Sequence, residues 1–480
     1  MRKIVVKFGG SNLRTPSDID KIAAIALSYA RPLVIVVSAF YGMTNDLVAC
    51  LDGAKDEEAA DEGLFTERLR ERKRGIIEAN VPDPELRRAT LAEAESRIDR
   101  LDRYLTGVRC IGDVPGFVND AILSQGERLS SLILTAALRC RGVDCEEILP
   151  EDLGLATDGE FGNATCDFGA CEAAVAARLA ADRIFVVPGF YGIGPDGKAT
   201  LFGRGGSDYS AAAIARCVRA ESLDLWKDVC GFLSADPGTV ARPRRIERLS
   251  YLEAAELSYF GAKILHPRTV EPIFDLGIPL RVMDVSGRSV AALGTIAPGP
   301  IAPGTVIDGQ RCVSDGAVKA VTSSEDIGIL KLHGPGVGFK RGILAKATGV
   351  LDERGINIKS VITAQTAIDI LLGRADLEKA RSALREHHVA GVVDVTANDD
   401  LAIVALVGEG ILEPSGGPGG GAGSGRAIAA RALSAAAAGG IHVAMASVGA
   451  SEVAMYILVR RDDRARAVRL IHEEFFGGEA

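Results

Sequence analysis

No apolar stretch of the 480-residue chain is long enough to cross a bilayer as a helix. The N-terminus runs straight into a strand-like Ile4-Val5-Val6, without a basic region, an apolar core or a small-residue cleavage site. No membrane association is expected. Cysteine never occurs as a CxxC pair, and the nine that exist are an odd number, scattered along the chain. Neither a zinc site nor a disulfide framework is indicated, so no protein-held metal is expected, and reduced thiols in a cytoplasmic protein are the natural reading. Basic excess is also missing. A formal net charge of −9 leaves no face to neutralise a phosphate backbone, which argues against nucleic acid as a partner. The run Arg68 to Arg74 alternates with Glu67 and Glu71 at helical spacing and reads as a solvated helix face.

What is present points to anion chemistry. Phe202-Gly203-Arg204-Gly205-Gly206-Ser207-Asp208-Tyr209-Ser210 follows an apolar run, Ile184 to Val187, and opens an alanine-rich helix at Ala211. Glycines ahead of a helix let backbone N–H groups face an anion that the helix dipole also favours. Arg204 suits a carboxylate or phosphate, and Asp208 suits a magnesium ion or an amine. A second such site closes the first strand at Lys7-Phe8-Gly9-Gly10-Ser11. Neither has the P-loop form or the dinucleotide form followed by an acidic residue. Two glycine-rich anion sites on alternating strands and helices suggest phosphoryl transfer of another kind.

Hydrophobic residues at 47% and charged residues at 25% suit a large buried core, and the length allows two to four domains of about 150 residues each. Up to about residue 290, strand-like runs (Leu33–Ser38, Ile184–Val187, Leu223–Trp226, Leu280–Val285) alternate with amphipathic helices, the pattern of a largely parallel sheet covered on both faces. Residues from about 57 to 109 are rich in Glu, Arg, Leu and Ala and broken once at Pro82-Asp83-Pro84, so they read as an inserted helical hairpin. Pro-Gly pairs between Gly294 and Gly309 mark a linker or turn region. Beyond it an internal repeat appears. Gly342 to Leu351 leading into Gly355-Ile356-Asn357-Ile358 is echoed by Arg426 to Ser434 leading into Gly439-Gly440-Ile441-His442-Val443. With strands before and after and second helices at Leu377–His387 and Asp463–Phe475, each copy is expected to be a βαββαβ unit. The glycine-rich segment 414–425 reads as a flexible insert in the second copy.

The ordered segments KFGGS, SAFYGMTN, SQGERLS, FGRGGSDYSA, LWKDVCGFLSADP and FGAKILHP resemble those of the aspartate kinases. These are amino-acid kinases that end in two ACT regulatory domains. The resemblance covers nearly the whole chain and implies an α/β fold in which a mostly parallel sheet is sandwiched by helices. Its bounds would be a catalytic domain at 1–290, a linker at 291–317 and ACT domains at 318–398 and 399–480. It implies ATP with Mg²⁺, L-aspartate as acceptor, an amino-acid effector at the ACT domains and a homodimer or larger homo-oligomer. By the same resemblance Lys7, Gly9 and Gly10 contact the transferring phosphate, and Ser38 and Thr44 are substrate-pocket hydroxyls. Glu127 receives the aspartate ammonium, Arg204 and Ser207 hold a substrate carboxylate, and Asp208 lies beside the reacting centre. Lys227, Asp228 and Lys263 occupy nucleotide-site positions. The β-carboxylate is already ionised at neutral pH, so no general base is needed, and the catalytic task is to bring two anions together.

Three positions depart from the family's pattern. A W-T-D segment reads Trp226-Lys227-Asp228, a tyrosine position reads Leu233, and an arginine position reads Gly238. Lys227 adds a cation where Gly238 removes one, and Arg242, Arg244 or Arg245 is placed by sequence to compensate. Where lysine-sensitive relatives carry a Ser-Glu pair, this chain reads Thr363 to Asp369 without a glutamate, so lysine is not indicated as the effector. Two other readings stand beside aspartate kinase: a kinase for another amino acid, and an amino-acid-binding regulator with a decayed kinase domain.

Overall fold

The computed structural model describes residues 2–29, 32–53, 62–285, 303–313, 317–412 and 425–477. Contacts divide the chain into two compact units. The first comprises Met1–Phe232, Arg245–Ala255 and Lys263–Gln310; the second comprises Leu233–Arg244, Glu256–Ala262 and Arg311–Ala480.

The first unit holds strands β1 (Ile4–Phe8), β2 (Leu33–Val37), β3 (Cys145–Glu147), β4 (Ile184–Pro188), β5 (Tyr191–Ile193), β6 (Ala199–Leu201), β7 (Ser222–Lys227), β8 (Arg248–Ser250), β9 (Leu280–Asp284) and β10 (Thr305–Asp308). Eight of them form one sheet in the order β3-β4-β2-β1-β7-β9-β10-β8. Every neighbouring pair is parallel except β9 with β10. The continuous apolar runs of β1 and β2 are buried at every position, as expected of strands covered on both faces. The acidic and basic stretch after β2 forms an antiparallel pair of helices, Glu62–Asn80 and Pro84–Ile111. Pro82-Asp83-Pro84 makes the break: Asp83 caps the second helix by accepting from the Leu86 amide at 2.7 Å, and Pro84 opens its first turn.

The second unit holds β11 (Ala320–Ser324), β12 (Gly328–His333), β13 (Ile358–Thr363), β14 (Ala367–Leu372), β15 (Asp394–Asn398), β16 (Leu401–Val407), β17 (Val443–Val448) and β18 (Ala454–Arg460). Two four-stranded antiparallel sheets result, β13-β14-β12-β15 and β11-β16-β18-β17. The first is a βαββαβ unit continuous in sequence, with helices Ile343–Glu353 and Leu377–Glu386.

The second sheet corrects the expected boundaries. Its fourth strand is β11, which pairs antiparallel with β16 from Ala320↔Val407 to Ser324↔Ile403. A strand placed by sequence in the first ACT unit, 318–398, therefore completes the second, and the first unit is inserted between β11 and β16. Strand membership is set by hydrogen-bond partners, and nothing in the short run Ala320–Ser324 announces a partner some eighty residues downstream. The expected linker 291–317 likewise contains β10, paired with β8 and β9 in the large sheet. The expected catalytic span 1–290 gives up Leu233–Arg244 and Glu256–Ala262 to the second unit. Arg244 is committed there, donating to the Phe476 carbonyl at 2.7 Å, so it does not stand in for the arginine missing at Gly238. The segment 414–424 of the glycine-rich insert lies outside the described residues.

Candidate active site

The chain runs from β1 outward on one side to β2 and β4, and returns to β1's other side as β7. Such a reversal in a parallel sheet leaves a crevice at the carboxyl ends of the strands. Here that crevice is a cleft of about 790 Å³, lined among others by Lys7, Gly10, Ser38, Thr44, Glu127, Arg204, Ser207 and Asp208. Residues from four distant segments thus meet at one end of the sheet.

Sheet register explains the cationic centre. Lys7 stands opposite Leu225 across the β1–β7 ladder, and Lys227 follows Leu225 by two residues, so both lysines project from the same face. The helix Gly206–Cys217 covers that face and carries Asp208 in its first turn. Lys7 Nζ lies 2.6 Å from one oxygen of Asp208, and Lys227 Nζ lies 2.7 Å from the other. Asp208 and Lys7 are almost fully buried; Lys227 is partly exposed. Burial pushes the Asp208 carboxyl up, but Lys227 and then Lys7 outweigh it and hold the group well below the usual carboxylate range. The Lys7 ammonium is driven down by burial and by Lys227, with Asp208 opposing. The cluster is one carboxylate between two ammonium groups, and it faces the cleft with a net positive charge.

Glycine is required at two points of this framework. A Cβ on Gly10 would stand 2.9 Å from the Ala39 carbonyl oxygen. Gly205 caps the Gly206–Cys217 helix at φ 70°, and a Cβ there would meet His266 at 2.3 Å. Asn12, in the turn after Gly10, donates to the Trp226 carbonyl at 2.7 Å and ties the β1 loop to the end of β7.

Glu127 opens the Gln125–Cys140 helix and is buried opposite the cationic cluster. Ser207 Oγ donates to its Oε1 at 3.4 Å, whereas its buried Oε2 finds no protein partner among the described residues. Burial pushes this carboxyl up to about 8, although the Ala39 amide, Lys7 and Ser207 oppose the shift. A buried acceptor without a donor, in a cleft lined by cations on the other wall, is a place prepared for a ligand cation. Arg204 is exposed at the cleft's margin, where its guanidinium is available to an anion.

Of the residues proposed from sequence, Gly9 lies where a Cβ would meet the Lys7 ammonium at 3.5 Å, and Lys227 reaches the centre through Asp208. Asp228 and Lys263 do not line the cleft. Asp228 is half exposed and pairs with Arg14 at 3.5 Å, and Lys263 is exposed. Sequence reasoning missed Asn119, Tyr41 and Phe190 in the wall. Phe190 has φ 78°, a left-handed conformation costly for an aromatic residue, and its amide donates to Ser210 Oγ at 2.8 Å. No local signal in Pro188-Gly189-Phe190 would have revealed it.

Residues 2–284 match the amino acid kinase family, and residues 322–386 and 419–475 match ACT domains. The chain belongs to the amino acid kinase family, and it is a phosphotransferase whose kinase domain is followed in sequence by two ACT domains. It is similar to the aspartokinase of Saccharomyces cerevisiae, at 28% identity over 98% of this chain and 92% of the relative. It is also similar to the lysine-sensitive aspartokinase 3 of Escherichia coli, at 27% identity over 99% of this chain and all of that one. The crystal structure of E. coli aspartokinase III in complex with aspartate and ADP superposes with a TM-score of 0.80 at 27% identity, covering 98% and 99% of the two chains.

Proposed function

We infer that the protein is an aspartate kinase, transferring the γ-phosphoryl group of ATP to the β-carboxylate of L-aspartate to give 4-phospho-L-aspartate and ADP. The observation that carries this reading is one cleft that holds both the Lys7–Asp208–Lys227 cluster and the buried Glu127 carboxyl, whose Oε2 has no partner among the described residues. The similarity to aspartokinases over nearly the full chain supports the choice of amino acid.

Glu127 takes the substrate ammonium, and Arg204 closes on the α-carboxylate from the margin. Ser207, Ser38 and Thr44 supply hydroxyls that fix the acceptor's orientation. Lys7 and Lys227 neutralise the charge that develops as the phosphoryl group passes between two anions. Asp208 is a positioning residue: both its oxygens are held by ammonium groups, so it orients the lysines and does not abstract a proton. The acceptor carboxylate is already ionised and needs no deprotonation, so the transfer calls for no general base.

Among the described residues no cluster of three or more acidic, histidine or cysteine side chains is able to cage a metal. The carboxylates among the described residues of the cleft are Asp208 and Glu127, a donor set that fits a Mg²⁺ ion carried mainly by the nucleotide's phosphates. Bound there, the ion offsets phosphate charge. The ACT units provide a route for control by an amino acid.

Incubation with MgATP, L-aspartate and hydroxylamine tests the assignment. Aspartyl hydroxamate is the expected product, and glutamate run in parallel should give little. A folded protein that forms no hydroxamate at millimolar substrates is not an aspartate kinase.

A further inference from the structure

Two buried thiols meet beside the Gly206–Cys217 helix, and the phosphoryl-transfer reading uses neither. Cys166 and Cys171 flank the start of the Phe168–Arg178 helix, whose cap is Asp167. They occupy the positions just before the cap and four residues after it, where apolar side chains often staple a helix entry. Their Sγ atoms are 3.5 Å apart, at van der Waals contact. Cys217, at the far end of the Gly206–Cys217 helix, also interacts with Cys171. All three are almost fully buried, at 5%, 0% and 2% exposure for Cys166, Cys171 and Cys217.

An ordinary staple needs only two apolar groups. This one places a sulfur in the first turns of a helix, where the dipole favours a thiolate, with a second sulfur 3.5 Å away. Hydrogen bonding with Cys166 first, and then with Cys217, holds the Cys171 thiol below its usual range against burial. The same contacts push Cys166 and Cys217 up. A thiol at a helix start, where the dipole favours a thiolate, therefore lies beside a second thiol close enough to resolve its oxidised form. The pair also touches the catalytic helix: the Cys166 amide donates to the Tyr209 hydroxyl at 3.2 Å, and Tyr209 follows Asp208.

We propose that Cys171 and Cys166 form a reversible peroxide-sensitive modification site, closing to a disulfide that shifts the helix carrying Ser207 and Asp208. The Cys171 thiolate attacks the distal oxygen of a small hydroperoxide, breaking the O–O bond and leaving a sulfenic acid and an alcohol or water. The Cys166 thiol then attacks the Cys171 sulfur, the S–S bond forms, and the hydroxyl leaves as water with the Cys166 proton. Two thiols and one hydroperoxide give one disulfide, one alcohol or water and one water. Burial restricts the oxidant to small hydroperoxides and excludes bulky disulfide reagents.

The full chain is treated with hydrogen peroxide, unfolded, alkylated and cleaved after Phe168, which separates the two cysteines. The expected result is a pair of linked peptides, lighter by two hydrogens than the sum of the free ones and separated by dithiothreitol. Activity is expected to fall with the link and to return on reduction. Cys166→Ala keeps an apolar staple; it should melt as the parent does and hold its activity at the same peroxide dose. Cys171→Ala is a second such control. The proposal is overturned if Cys166 and Cys171 remain alkylatable at a dose that oxidises the exposed Cys110 and Cys230. It is overturned equally if Cys166→Ala loses activity as fast as the parent.

Discussion

Glu127 should make aspartate binding a proton-linked event. Burial lifts its carboxyl to about 8, so at pH 7 the empty cleft holds it about 90% protonated. A substrate ammonium is stabilised by the carboxylate and not by the acid, so binding must expel that proton. The sign follows from the raised value: above about pH 8 the carboxylate is already present and affinity is flat. Below it, each pH unit costs about 1.4 kcal/mol, and the aspartate KM should rise about tenfold per unit. Calorimetry at pH 7 in two buffers of different ionisation enthalpy should show nearly one proton released per aspartate bound. Glu127→Gln keeps the shape and removes the charge. It should weaken aspartate binding by about 2–5 kcal/mol, because the substrate ammonium is left unpaired in a buried site, and it should abolish both the pH slope and the proton release. A wild-type KM that stays flat from pH 6 to 8, or a Gln variant that keeps the slope, would refute the argument.

Lys7→Ala should lower kcat by about 2–4 kcal/mol of barrier with a smaller effect on aspartate KM, as expected for one electrostatic donor to the phosphoryl group. Lys227→Thr should act in the same direction because Asp208 then orients one ammonium instead of two; a kcat within a few-fold of the parent would make Lys227 a bystander. Arg204→Ala should raise the aspartate KM while the melting temperature holds, since Arg204 is exposed and the fold does not depend on it; an unchanged KM would place the α-carboxylate elsewhere. Lysine should inhibit weakly, because Asp369, the only carboxylate in the Thr363–Asp369 stretch, already faces Lys331 at 3.5 Å on the adjacent strand; strong inhibition in a lysine titration of activity would show an effector pocket built from other residues.

Features whose physics is local can be read from the order of residues alone. Glycines needed for close approach or positive φ, a helix start beside them and apolar runs long enough for a parallel sheet are all short-range requirements. Hence the segments Lys7–Ser11 and Phe202–Ser210 were legible as anion sites before any fold was known, and Pro82-Asp83-Pro84 as a helix break. Features that depend on pairing between distant segments emerge only in the folded chain. The contact of Lys227 with Asp208 and Lys7 follows from the β1–β7 register. The raised carboxyl of Glu127 follows from the walls that bury it, and Phe190's strained backbone from the turn around it. The placement of β11 in the second ACT sheet follows from its ladder with β16. A residue's type and its neighbours in sequence carry no record of such partners, because hydrogen-bond pairing and desolvation are properties of the folded chain as a whole.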